Sequence, residues 1–113
     1  MPDPVPDRFR CPWLGREVEL PGERERHIED RHPDLLPRHR TKFAEVLADP
    51  DVVRRSVRAA SILLFSRWYT DVGHGRHIVV VVVDESRGPA RSWIVTAYTA
   101  LRIAGGEVLW QRS

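Results

Sequence analysis

Arg76-His77-Ile78-Val79-Val80-Val81-Val82-Val83-Asp84 is the stretch on which the fold turns. Its centre, Ile78 to Val83, is an unbroken run of β-branched residues. Such side chains lose rotamer freedom in a helix and pack well on a pleated surface, so the run is read as a strand. It shows no polar alternation, which predicts an interior strand covered on both sides. It is also far shorter than the roughly 20 residues that span a bilayer, so no transmembrane helix is expected.

Turn signals stand on either side of this run. Asp71-Val72-Gly73-His74-Gly75 precedes it and Glu85-Ser86-Arg87-Gly88-Pro89 follows it. They separate strands expected at about 61–70, 76–84 and 92–99, with a further strand at 52–58. Links this short join antiparallel neighbours, because a parallel crossover needs a dozen or more residues. Before Pro50 the period is helical: Phe43, Val46 and Leu47 recur at i, i+3, i+4 and predict a helix over 38–49. An earlier helix is expected over 23–32, with Glu23 and Glu25 at the positive end of its dipole and Pro33 closing it. Glu17-Val18-Glu19-Leu20 alternates like a short strand, and the proline-rich residues 1–12 read as an extended lead-in. Glu107 to Trp110, after Gly105-Gly106, make a tail that adds an edge strand or packs on the sheet. The expected fold is α+β, with N-terminal helices packed on a four-stranded antiparallel β-sheet, as one domain over 1–113.

A chain of 113 residues, 42% hydrophobic and 30% charged, has the composition of a globular domain that buries one core without disulfides. Cys11 is the only cysteine, and Met1-Pro2-Asp3-Pro4 lacks the basic-then-apolar pattern of a signal peptide. Both features predict a cytoplasmic protein with no membrane attachment. The net charge is +2, and Lys42 is the only lysine among the basic residues. Arginine's planar fork suits phosphate and hence nucleic acid, although a GC-rich coding sequence produces the same bias.

The first helix differs from the second. Its inner positions are Arg24, His27, Ile28, Arg31 and His32, of which only Ile28 is apolar. Burying two His and two Arg unpaired costs several kcal/mol each. The helix therefore either rides the rim on Ile28 or turns its polar face to a pocket. Symmetric counting around the first hairpin puts Arg67 opposite Val79 and Tyr69 opposite His77. A six-residue second loop puts Val79 opposite Thr96 and His77 opposite Tyr98. Arg67, Tyr69, His77, Thr96 and Tyr98 then share one side, with Arg67 and Thr96 roughly 10 Å apart. A one-residue slip turns a strand over, so this grouping hangs on the turns. The alternatives are an Arg67 paired with Asp71 or Glu85, and a Thr96 that is simply a strand former.

No metal or other cofactor is expected. His27 and His32 stand about 140° apart on an ideal helix, and no carboxylate or thiolate spacing completes a site around His74 and His77. Cys11, beside Pro12 and Trp13, reads as packed rather than nucleophilic. There is no glycine-rich phosphate loop.

Several segments in order, Cys11-Pro12-Trp13-Leu14-Gly15, His27-Ile28-x-x-Arg31-His32-Pro33, Asp49-Pro50-Asp51, Leu64-Phe65-x-Arg67-Trp68-Tyr69, Thr96-Ala97-Tyr98 and Gly106-Glu107-Val108-Leu109-Trp110, carry a resemblance. Over nearly the whole chain it resembles small phage and bacterial nuclease-like proteins of the barnase–EndoU–colicin–RelE-like fold. The resemblance implies N-terminal helices before a four-stranded antiparallel sheet, and metal-independent ribonuclease activity, often toxin-like. It implies His27, Arg67 and Thr96 as catalytic candidates, with His32 and Tyr98 beside them. The chain departs from the barnase pattern in having no Glu on a sheet strand to act as base.

RNA cleavage by its own 2′-OH needs a base, an acid for the leaving 5′-oxygen, and positive charge on the phosphate. Histidine suits the proton transfers, arginine the charge, and a hydroxyl orients an oxygen. The leading reading is thus a toxin-like, metal-independent endoribonuclease with His27, Arg67 and Thr96 catalytic, and Arg31, His32, Tyr69 and Tyr98 binding substrate. RNA is the expected substrate and an antitoxin-like protein a further partner. Trp68, Tyr69 and Trp110 offer rings on which an unpaired base can stack. The alternative is a non-catalytic RNA- or protein-binding module on the same fold.

Overall fold

The computed structural model describes residues 6–86 and 88–113; residues 1–5 of the lead-in and Arg87 in the second turn lie outside the described residues. The elements run β1 (Asp7–Cys11), β2 (Arg16–Leu20), α1 (Gly22–Arg31), α2 (Arg40–Ala48), β3 (Val52–Arg55), β4 (Ile62–Tyr69), β5 (Arg76–Glu85), β6 (Arg91–Ala100) and β7 (Glu107–Gln111).

The expectation of helices followed by a four-stranded antiparallel sheet is overturned. The sheet has seven strands in the order β1-β2-β6-β5-β4-β3-β7, and it is mixed. Two strands precede the helices. Residues 7–11 of the lead-in form β1, which folds back on β2 through a turn in which the Leu14 and Gly15 amides donate to the Cys11 carbonyl. β2 then pairs in parallel with β6 through Glu19 and Trp93. Those partners are separated by most of the chain, and a parallel contact at that distance leaves no local sequence signal. At the other side of the sheet the tail pairs with β3 as β7.

Alternation along the strands divides the sheet into two unlike faces. Leu63, Phe65, Ile78, Val80, Val82, Ile94 and Ala97 are buried on one face. They pack against Ile28 of α1, Leu35 and Leu36 of the inter-helix link, and Phe43, Val46 and Leu47 of α2. The valine run sits in β5, fourth of the seven strands, as an interior strand should. Its second face is only partly covered. Val79 is buried, whereas Val81 and Val83 are half-buried. The cover there is the segment 101–106, which leaves β6 and crosses β5, β4 and β3 to reach β7.

That crossing ends at a tight junction. Gly106 has φ +76°, and a Cβ placed on it falls 2.7 Å from the Arg55 carbonyl oxygen. A left-handed non-glycine residue alone costs about 1–3 kcal/mol. Gly106→Ala is therefore expected to lower the unfolding free energy in urea by at least that range. A wild-type midpoint would show that the β3–β7 junction tolerates a side chain.

Candidate functional site

The turns decide which predicted site residues meet. The first hairpin pairs Tyr69 with Arg76 and so has one loop residue more than symmetric counting allows. Arg67 consequently lies opposite Ile78, and Trp68, not Tyr69, lies opposite His77. The second hairpin shifts by one residue at the loop and by one more at a β-bulge, where Val95 is the extra residue. These two shifts cancel in facing. Val79 pairs with Tyr98 and Val81 with Thr96, so Thr96, Tyr98 and His77 do share a side, the face away from the helices. Arg67 and Tyr69 are on the opposite face. The expected grouping of Arg67 with Thr96 is corrected by a slip of one residue in a single loop.

Arg67 is engaged where it is. Its Nη1 lies 3.5 Å from Asp49 Oδ2, just past the end of α2, and its guanidinium stands 5.6 Å from the Tyr69 ring centre. Its partner is thus Asp49 rather than Asp71 or Glu85. Arg112 completes the network, 2.5 Å from Asp49 Oδ1 and 3.2 Å from Asp51 Oδ1. Tyr69 is buried, with its hydroxyl donating to the Lys42 carbonyl, and burial pushes its pKa up to about 12. Cys11 is buried as well, and desolvation pushes its thiol up, the reverse of what a nucleophile needs.

α1 is positioned by what β2 leaves open. β2 ends at Leu20, so the second half of β6 has no strand on that side, and α1 runs along it instead. Arg24 Nε donates to the Val95 carbonyl at 2.7 Å, satisfying one acceptor of this edge. Ile28 enters the core, and His27, half-buried, stands on the same side of the helix one turn beyond Arg24. Arg31 is exposed. At the end of the helix the His32 ring lies 6.4 Å from the Tyr98 ring, and Thr99 donates to Asp34 at 3.1 Å. The polar face of the first helix therefore rides the edge of the sheet next to β6, anchored by Ile28.

Tyr98 connects this edge to a cleft. Between the crossing segment and the helix-free face lies a cavity of about 170 Å³, lined by Arg54, Leu64, Ser66, Val79, Tyr98 and Ala100 from the strands and by 102–105 from the crossing segment. Its charged lining is Arg54 and Arg102, with no carboxylate. Pockets that engulf whole ligands are roughly 300–1,000 Å³, so this one fits a group rather than a molecule. Arg54 Nη1 donates to the Gly105 carbonyl at 2.7 Å, while its Nε is buried without a hydrogen-bond partner. Burial pushes the Tyr98 phenol upward and holds it protonated, a donor. A larger depression of about 380 Å³, near Arg8, Arg91 and Glu19, holds charges that already pair with one another.

No family model, curated protein or solved structure matches this chain. Among the described residues no three His, Cys, Asp or Glu side chains are grouped to hold a metal ion, and no helix is long and apolar enough to cross a membrane. Arg54, Ser66 and Arg102 were not singled out by the sequence. Alternation in Val52-Val53-Arg54-Arg55 does set Arg54 on the face opposite the buried Val53. Nothing local marks Arg102, whose place depends on the path of the crossing segment.

Proposed function

We propose that the protein acts on RNA at the helix-free face, as a metal-independent endoribonuclease whose site is the cleft and the adjoining β6 edge. The observation that carries this reading is the cleft lining: two guanidiniums, a phenol and a serine hydroxyl, with no carboxylate, sized for a phosphate group. Arg54 and Arg102 take the role earlier expected of Arg67. A phosphate oxygen gives the buried Arg54 Nε the acceptor it lacks, and charge-assisted bonds of this kind are the strong ones. Tyr98 donates to a second oxygen. His32, beside Tyr98, transfers the proton, with His27 further up the same helix as its counterpart and Thr96 on the same face. Attack of the 2′-oxygen on phosphorus expels the 5′-oxygen, which takes a proton from the acid while the base holds the proton of the 2′-OH.

Incubating the purified protein with total RNA in EDTA tests this. Fragments ending in 2′,3′-cyclic phosphate are the expected product. RNA that is retarded on a gel yet stays whole favours the second reading, a binding module without catalysis. The specific observation behind that reading is the separation of Arg67 from Thr96 by the thickness of the sheet. RNA neither bound nor cleaved overturns both. An antitoxin-like partner and toxicity belong to the first reading alone.

A further inference from the structure

Beside the cleft, on the same helix-free face, one large aromatic side chain is held in place and left open. Trp68 is 42% exposed. Its ring meets His77 edge-on at 4.9 Å between centroids, with 73° between planes. It also lies against Gly75, where an added Cβ would fall 2.7 Å from the indole Cζ2. Its backbone amide donates to Asp51 Oδ2 at 2.7 Å. Burial pushes the His77 pKa down, and its Nδ1 is buried without a partner. The indole is thus fixed by contacts on β5 and in the first turn, and its ordering entropy is already spent before any ligand arrives.

Trp68 pairs across the sheet with His77, and His77 with Ala100, which lines the cleft. Two strand spacings put the indole roughly 10 Å from that wall. A chain whose phosphate sits between Arg54 and Arg102 can lay a neighbouring base on the ring. We propose that Trp68 is a base-stacking subsite that makes this face select single-stranded RNA over duplex. The inference rests on the reading of the cleft as an RNA site. The physical reason for the selection is that an unpaired base offers its π-face, whereas a duplex stacks every face away internally.

The test is fluorescence anisotropy with a labelled, 2′-O-methylated eight-nucleotide adenosine strand, which resists cleavage, and with the same strand annealed to its complement. The wild type is expected to bind the single strand more tightly. Trp68→Ala is expected to weaken single-strand binding by about 5- to 150-fold, the usual effect of removing one stacked aromatic, and to leave duplex binding unchanged. Trp68→Leu, which keeps apolar bulk against Gly75, is expected to show the same loss, and Trp68→Phe to recover most of it. Single-strand binding at the wild-type level in folded Trp68→Leu overturns the subsite and leaves the cleft reading intact. An equal loss for strand and duplex also overturns it. Absence of binding by the wild type to either probe overturns the cleft reading, and the subsite with it.

Discussion

Replacing His32 by alanine is expected to slow RNA cleavage by about 10²–10⁴-fold, the usual cost of removing a positioned proton-transfer group. The fold is expected to survive. His32 closes α1 with its backbone: its amide donates to the Ile28 carbonyl at 2.7 Å, and its own carbonyl accepts from the Leu35 and Leu36 amides. Alanine keeps every one of these bonds. The imidazole itself is half-buried beside Tyr98 and supports little of the core. The remaining activity should lose one limb of its pH–rate profile, and added imidazole should restore part of the rate. His27→Ala reports on the counterpart: if the two residues are acid and base of one reaction, each single variant costs nearly as much as the double. A folded His32→Ala protein that cleaves at the wild-type rate removes His32 from the chemistry. Binding without cleavage then becomes the better account of the face.

The largest stability loss is expected at Phe65. It lies on β4, flanked by Val53 of β3 and Val80 of β5, and is fully buried on the face that meets the helices. Trp13, from the β1–β2 turn, meets its ring edge-on at 6.1 Å. Phe65→Ala removes a ring that three elements pack against, and such changes cost about 3–5 kcal/mol through lost transfer energy and the cavity left behind. Domains of this size are stable by only about 5–15 kcal/mol, so much of the total is at stake. Urea unfolding followed by circular dichroism measures it, with Phe65→Leu expected to cost clearly less. A loss below about 1 kcal/mol would contradict the packing described for this face.

Much of the secondary structure is legible along the chain, because it depends on local sterics. The β-branched run of β5, the i, i+3, i+4 stripe of α2 and the prolines at 33 and 50 each act over a few residues. The helix bounds fall within two residues of those expected, and the turns on both sides of β5 lie where Gly, with Asp in the first and Pro in the second, breaks the apolar pattern. The anomalous face of α1 is legible as well: His27, Arg31 and His32 are too polar for a core, and the structure sets that helix at the rim of the sheet. β1 is hidden by its flanking prolines, and its place in the sheet depends on pairing with β2 rather than on any apolar pattern of its own.

The candidate site is a different matter. Thr96 and Tyr98 share a face with His77 only because a loop shift and a bulge at Val95 cancel, and Arg67 leaves that face because one loop holds one residue more. A side chain changes face with every residue, so an error of one in a turn moves the whole set of a strand. No local propensity separates the two loop lengths. Arg54 and Arg102 line one cleft because 101–106 crosses three strands, and the cleft exists only beneath that crossing.

By itself, then, the sequence determined the two helices and the strands from β2 to β6, and that one helix carries a polar face no core accepts; β1 it did not show. Side-chain branching, periodicity and the backbone limits of proline and glycine operate within a turn or a strand. The tertiary structure alone decided the seven-strand order, the parallel Glu19–Trp93 contact and the face on which each arginine stands. Those depend on contacts between residues far apart in the chain and on single-residue loop closures, which are settled only when the whole core packs at once.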